Sequence, residues 1–74
     1  MTNLKLNDRL QVVDMDSKGS QKRVVGRLVG NNGKVSFVAE RQQVGFVRLP
    51  VRLTDEEEIQ ISFIVDEANR GGSN

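Results

Sequence analysis

The stretch Val24-Val25-Gly26-Arg27-Leu28-Val29-Gly30-Asn31-Asn32-Gly33-Lys34-Val35-Ser36-Phe37-Val38-Ala39 decides the fold class. Val24, Gly26 and Leu28 alternate with Val25, Arg27 and Val29. After the break, Val35, Phe37 and Ala39 alternate with Ser36, Val38 and Glu40. A spacing of two is the repeat of a strand with one face buried, and the β-branched residues suit a pleated surface. Asn32-Gly33 between the two runs readily takes the positive φ values of a type I′ turn. The stretch therefore predicts an antiparallel hairpin.

The same period runs outward in both directions. Leu10 and Val12 alternate with Arg9 and Gln11. Val47, Leu49, Val51 and Leu53 alternate with Phe46, Arg48, Pro50 and Arg52. Ile59, Ile61, Phe63 and Val65 alternate with Gln60, Ser62, Ile64 and Asp66. That makes five strand candidates. The polar segment 16–21 reads as a loop, and Arg41-Gln42-Gln43 as a short link. Thr54-Asp55-Glu56-Glu57 has the form of a capping box, with Thr54 as N-cap and Glu57 three residues on. Alternation resumes at Ile59, so the box is expected to cap one helical turn at most. The expected fold is all-β: a small five-stranded antiparallel barrel or rolled sheet with one short helical turn. Pro50 places its strand at an edge or a bend, and Gly26, Gly30 and Gly45 are candidate bend or bulge points.

Seventy-four residues hold a single domain. Residues 8–67 are expected to form it. Residues 1–7 are read as either a mobile segment or an edge strand through Leu4 and Leu6. Residues 68–74 lack any apolar period and are expected to be a disordered tail. No apolar run exceeds three residues, so neither a signal peptide nor a membrane span is expected, and the default compartment is the cytoplasm. With no cysteine or histidine to staple it, a core this small supplies about 3–5 kcal/mol of net stability.

The near-neutral total of +1 hides a strong asymmetry. Residues 1–53 carry ten Lys or Arg against four acids, about +6. Residues 54–74 carry six acids against Arg70, about −5. Absence of His and Cys removes the bases, nucleophile pairs and ligands of hydrolytic triads and zinc sites. The run Asp55 to Glu58 lacks the alternating spacing of a calcium loop and reads as a solvated turn. No enzymatic activity, metal or cofactor is expected. Two basic constellations remain as binding candidates: Lys22, Arg23 and Arg27, and Arg41, Arg48 and Arg52 with Phe46. Val47, Leu49, Val51 and Leu53 are expected to face the core, which turns Phe46 outward beside Arg48 and Arg52, a composition common at interface hot spots. The alternatives are a second small core under Phe46, a solvated strand face for Lys22, Arg23 and Arg27, and pairing of the acidic turn with arginines of the same molecule.

Three resemblances bear on function. Arg23-Val24-Val25-Gly26-Arg27 is similar to the Arg-x-x-x-Arg that opens cyclic-di-GMP-binding PilZ domains, and Arg48 to Arg52 repeats the spacing. No Asp/Asn-x-Ser-x-x-Gly follows either pair. The segments around Leu6 to Leu10 and Val24 to Gly30 resemble the barrel that precedes PilZ in flagellar brake proteins. In length, in its Cys- and His-free composition and in its charge split, the whole chain resembles the small regulators that lytic phages direct at host RNA polymerase. That resemblance implies binding to the large polymerase subunits, inhibited initiation or loss of σ factor, and readthrough of terminators. The expected function is therefore a non-enzymatic regulator of host RNA polymerase, with a small nucleic-acid-binding β module as the alternative. Three Phe and no Trp or Tyr make a sparse platform for base stacking.

Overall fold

The computed structural model describes residues 3–71. Four strands, β1 (Leu4–Leu6), β2 (Gln11–Met15), β3 (Gln21–Asn31) and β4 (Lys34–Ala39), form an antiparallel meander in the order β1-β2-β3-β4. Two more, β5 (Arg41–Val44) and β6 (Val47–Pro50), pair only with each other. A 17-residue helix, α1 (Asp55–Gly71), ends the described chain. The fold is β-rich as expected, but it has six strands rather than five, and a full helix rather than a single turn.

The central hairpin is the one the sequence predicts. Asn31 pairs with Lys34, and both intervening residues take positive φ, Asn32 at 55° and Gly33 at 81°. Both dihedrals fit a type I′ turn. Leu4–Leu6 take the edge-strand option, with Leu4 opposite Asp14 and Leu6 opposite Val12, while residues 1 and 2 of that segment lie outside the described residues. Leu10, expected in a strand, instead closes a tight turn at φ 61°, held by Leu10 N–H donating to the Asn7 carbonyl at 3.1 Å.

The β2–β3 register slips twice. Val12 faces Gly26 but Val13 faces Val24, and Asp14 faces Arg23 but Met15 faces Gln21. Each slip leaves an extra residue on β3, Val25 and then Lys22. Such bulges bend a strand and increase its twist, so the sheet curls. Gly26 lies beside the first bulge, where bending was expected, and the packing shows a further need for glycine. A Cβ there would run into the Phe37 ring and come within 2.5 Å of the Val38 carbonyl oxygen. By contrast, Gly30 sits in regular pairing with Val35.

The curled sheet does not close strand to strand. Its gap is filled by α1, which packs against both outer strands, β1 and β4. Ile61 is buried with Leu4, Val12, Val25 and Leu28, while Ile64, Val65 and Ala68 pack at the margin with Val35, Phe37 and Leu53. The positions 57, 61, 64, 65 and 68 make one helical face. Residues 59–65, expected as a strand, are therefore helical. Ile59, Ile61, Phe63 and Val65 satisfy a period of two, but only the helical period buries Ile61 while adding Ile64 and Ala68 to the core. It leaves Ile59 and Phe63 outside at 59% and 70% exposure. The helix also runs through Ala68 to Gly71, where a tail was expected. Residues 72–74 of that segment lie outside the described residues.

The capping box forms as predicted. Thr54 N–H donates to Glu57 Oε1 at 2.9 Å, and Glu57 N–H donates to Thr54 Oγ1 at 3.2 Å. Four acids in the first turn suit the positive end of the helix dipole. Side chains of α1 then take up backbone groups on both outer strands. Leu4 N–H donates to Gln60 Oε1 at 2.9 Å. Val35 N–H donates to Asn69 Oδ1 at 2.8 Å, and Asn69 Nδ2 donates to the Val35 carbonyl at 3.2 Å. The third tie is ionic. Arg23 on β3 donates from Nη2 to Glu57 Oε2 at 3.0 Å and reaches Asp14 Oδ2 at 3.5 Å.

Glu57 is 2% exposed and serves both the cap and the ion pair. Its replacement, Glu57→Ala, is expected to remove about 1–3 kcal/mol, a large share of the total. Urea unfolding followed by far-UV circular dichroism measures it; a loss under about 0.5 kcal/mol would mean that the pair is incidental. Gly26→Ala is expected to cost about 1–3 kcal/mol through overpacking against Phe37, with the loss reduced in the double variant Gly26→Ala/Phe37→Leu.

Candidate partner-binding interface

The residues singled out by charge fall into two groups. Lys22, Arg23 and Arg27 lie on β3 of the four-stranded sheet, all with exposed side chains. Arg23 is occupied by Glu57 and Asp14, so part of the acidic turn does pair within the molecule. Lys22 is the extra residue of the second bulge, and Arg27 stands opposite Gln11 on one side and Val38 on the other.

Arg41, Phe46 and Arg48 come together on the β5–β6 hairpin, with Arg52 two residues beyond its end. This hairpin was only half legible in the sequence. Arg41-Gln42-Gln43, read as a polar link, is most of a strand. Its partners are Pro50, Leu49 and Arg48, and Val44 pairs with Val47. Two residues, Gly45 and Phe46, connect the strands. Gly45 takes φ 63° and Phe46 does not take a positive value, the arrangement of a type II′ turn with glycine at its first central position. Pro50 sits at the open end of a two-stranded ribbon, a permitted edge position.

Every residue of β5 and β6 is exposed. The expectation that Val47 and Leu49 face the core fails, because the ribbon is not hydrogen-bonded to the main sheet and no core lies beneath it. Only Val51 and Leu53 reach partial burial, and only Leu53 joins the core margin. Phe46 is fully exposed at the tip, which excludes a second small core under it, and Val44, Val47 and Leu49 are all between 46% and 56% exposed. Four exposed apolar side chains, Val44, Phe46, Val47 and Leu49, thus gather on one hairpin of ten residues.

Two contacts shape the ribbon. Arg41 Nη2 donates to the Arg48 carbonyl at 2.8 Å across the strands, and Gln43 Nε2 donates to the Gly45 carbonyl at 2.9 Å beneath the turn. At its base, Val51 N–H donates to the Glu40 carbonyl at 2.7 Å, and Glu40 N–H donates to the Val25 carbonyl at 2.9 Å, fixing where the ribbon leaves the sheet. Arg41 thus has a bracing role, while Arg48 and Arg52 present their side chains to solvent.

Among the described residues, no three His, Cys, Asp or Glu side chains gather as a metal-binding group, and no helix is long and apolar enough to cross a membrane. No protein family model, curated protein or solved structure matches the chain.

A ribbon held by its own ladder alone should open more readily than the sheet. Hydrogen exchange is expected to be faster for the amides of β5 and β6 than for those of β2 and β3. Phe46→Asp is expected to shift the unfolding free energy by less than about 0.5 kcal/mol. A larger loss would place the Phe46 ring in a packed environment.

Proposed function

We propose that this chain is a non-enzymatic regulator that docks its β5–β6 ribbon on an acidic, partly apolar protein surface, with the large subunits of host bacterial RNA polymerase as the partner. One observation carries the docking mode: a fully exposed Phe46 at the tip of a ribbon whose Val44, Val47 and Leu49 are also exposed, with exposed arginines at Arg48 on β6 and at Arg52 just past its end. Aromatic and arginine side chains are the residues that most often dominate interface energies, the ring through buried area and the guanidinium through planar hydrogen bonding. Electrostatic attraction would set the association rate and orientation.

The choice of polymerase rests on the resemblance in size, composition and charge split to phage regulators of that enzyme. Binding there would inhibit initiation, promote readthrough of terminators, or both. The acidic helix would face a second, basic surface or keep nucleic acid from one. Lys22 and Arg27 extend the positive field and serve as secondary contacts. The cyclic-di-GMP reading has less support, since Arg23 is held by Glu57 and Asp14 rather than offered to a ligand.

Tagged protein incubated with nuclease-treated bacterial lysate at physiological salt is expected to retain the large polymerase subunits. Phe46→Asp and the pair Arg48→Glu/Arg52→Glu should each reduce recovery more than about tenfold while leaving the circular dichroism spectrum unchanged. Retention by both variants at full strength would show the ribbon is not the docking surface. Capture only when nucleic acid is left in, with affinity falling steeply between low and physiological salt, would identify a nucleic-acid module.

A further inference from the structure

The chain carries, on different elements, a protruding surface and a recess of opposite charge. The recess is an open groove of about 420 Å³ between β1 and α1, lined by Leu6, Phe63, Ile64, Glu67 and Ala68. Its walls are apolar apart from the Glu67 carboxylate. Phe63 is 70% exposed, and Ile59, one turn earlier on the same face, is 59% exposed. The exposed acids Glu56, Asp66 and Glu67 lie along the same helix. The protrusion is the β5–β6 ribbon, with Phe46 at its tip, Val44, Val47 and Leu49 on one face, Arg48 on the other, and Arg52 just past its open end. Within one molecule the two do not meet, because Phe46 is fully exposed.

We propose that the ribbon of one copy seats on the β1–α1 groove of a second copy, and that two such contacts form reciprocally about a twofold axis. The occupant is argued from complementarity. An aromatic ring with a guanidinium group two residues on, at Arg48, fits an apolar groove bearing a carboxylate, and the groove lies within the roughly 300–1,000 Å³ of small-ligand pockets, ample for one ring. The charge division gives the same result: residues 1–53 are about +6 and residues 54–74 about −5, while the total is +1. Two copies packed ribbon to helix bring unlike charges together with little net repulsion. A closed twofold arrangement uses both complementary pairs and leaves neither for further growth. The dimer covers the ribbon, so it competes with any other partner of that surface. It does not depend on which partner that is.

The test uses this chain alone. Sedimentation equilibrium across a concentration series at physiological salt is expected to show the 8.3 kDa chain moving to twice that mass. Arg48→Glu and Glu67→Lys, both at exposed positions, should each weaken self-association at least about tenfold. Mixed in equal amounts, the two variants should regain it, because one contact of the mixed dimer pairs the reversed charges and the other keeps the original pair. Phe63→Asp should weaken association without rescue by either variant. A wild type that stays monomeric to millimolar concentration, a dimer unaffected by the single reversals, or a mixture that stays monomeric overturns the proposal. Capture of a foreign protein is read separately in lysate, where a monomeric chain that retains the polymerase subunits overturns only this inference and a dimeric chain that retains none overturns only the polymerase reading.

Discussion

A four-stranded sheet curled by two bulges ends in two outer strands that do not meet, and α1 is the element that joins them. Backbone groups on an edge strand need partners, and an open edge on a small domain invites aggregation. A barrel meets that need with a further strand pair. Here Gln60 takes the Leu4 amide on β1, and Asn69 takes both the amide and the carbonyl of Val35 on β4. The Asn69 side chain thus acts as one residue of an absent neighbouring strand. Between these ends, Glu57 fastens the helix to Arg23 in the middle of the sheet. Ile61 completes the core from the helix side, with Leu4, Val12, Val25 and Leu28 across from it.

This arrangement explains which parts of the fold the sequence reveals. The β3–β4 hairpin is legible because apolar alternation and Asn32-Gly33 turn chemistry agree. The capping box is legible because it is a local contact between Thr54 and Glu57. The helix beyond it is masked because Ile59 and Phe63 stand at outward positions, where apolar residues are not expected, and they complete a false alternation with Ile61 and Val65. Had those two been polar, the helical spacing of Ile61, Ile64, Val65 and Ala68 would have stood alone. Phe63 also lines the β1–α1 groove, and both residues are exposed, so the misleading signal and the exposed apolar surface of the helix have one source. β5 is masked for the opposite reason: Gln42 and Gln43 face solvent on both sides, so no alternation is needed. The two-residue Gly45-Phe46 turn is the signal that would have found it.

The candidate site was legible in composition more than in placement. Arg48, Arg52 and Phe46 are exposed, but not for the reason alternation offered: Phe46 sits in the turn, Arg52 lies past β6, and Val47 and Leu49 face no core. Arg23 does not separate from Lys22 and Arg27 in the sequence, because its partner Glu57 lies 34 positions away. Arg41 looks like a binding cation in the sequence, yet in the structure it braces the ribbon through the Arg48 carbonyl. Charge clusters record which residues are available for recognition, and only the tertiary fold determines which of them are used internally.

The ribbon itself poses the remaining energetic question. A core of six buried aliphatic side chains supports a small margin of stability, and nothing in β5 or β6 adds to it. Four exposed apolar side chains there raise the risk of nonspecific association without contributing to folding. A two-stranded ribbon is at best marginally stable alone, and this one is shaped by Gly45, Pro50 and the Arg41 brace rather than by packing. Under the docking proposed here, a surface laid against such a segment would reduce its freedom to open, and part of the binding free energy would go into holding the ribbon closed. Any surface that buries Phe46 and matches the arginines will stabilise it, whether supplied by a foreign protein or by another copy. Under the two proposals, selection between them depends on relative concentration and on how completely each buries the ring, and self-association would act as a brake on docking through the same surface.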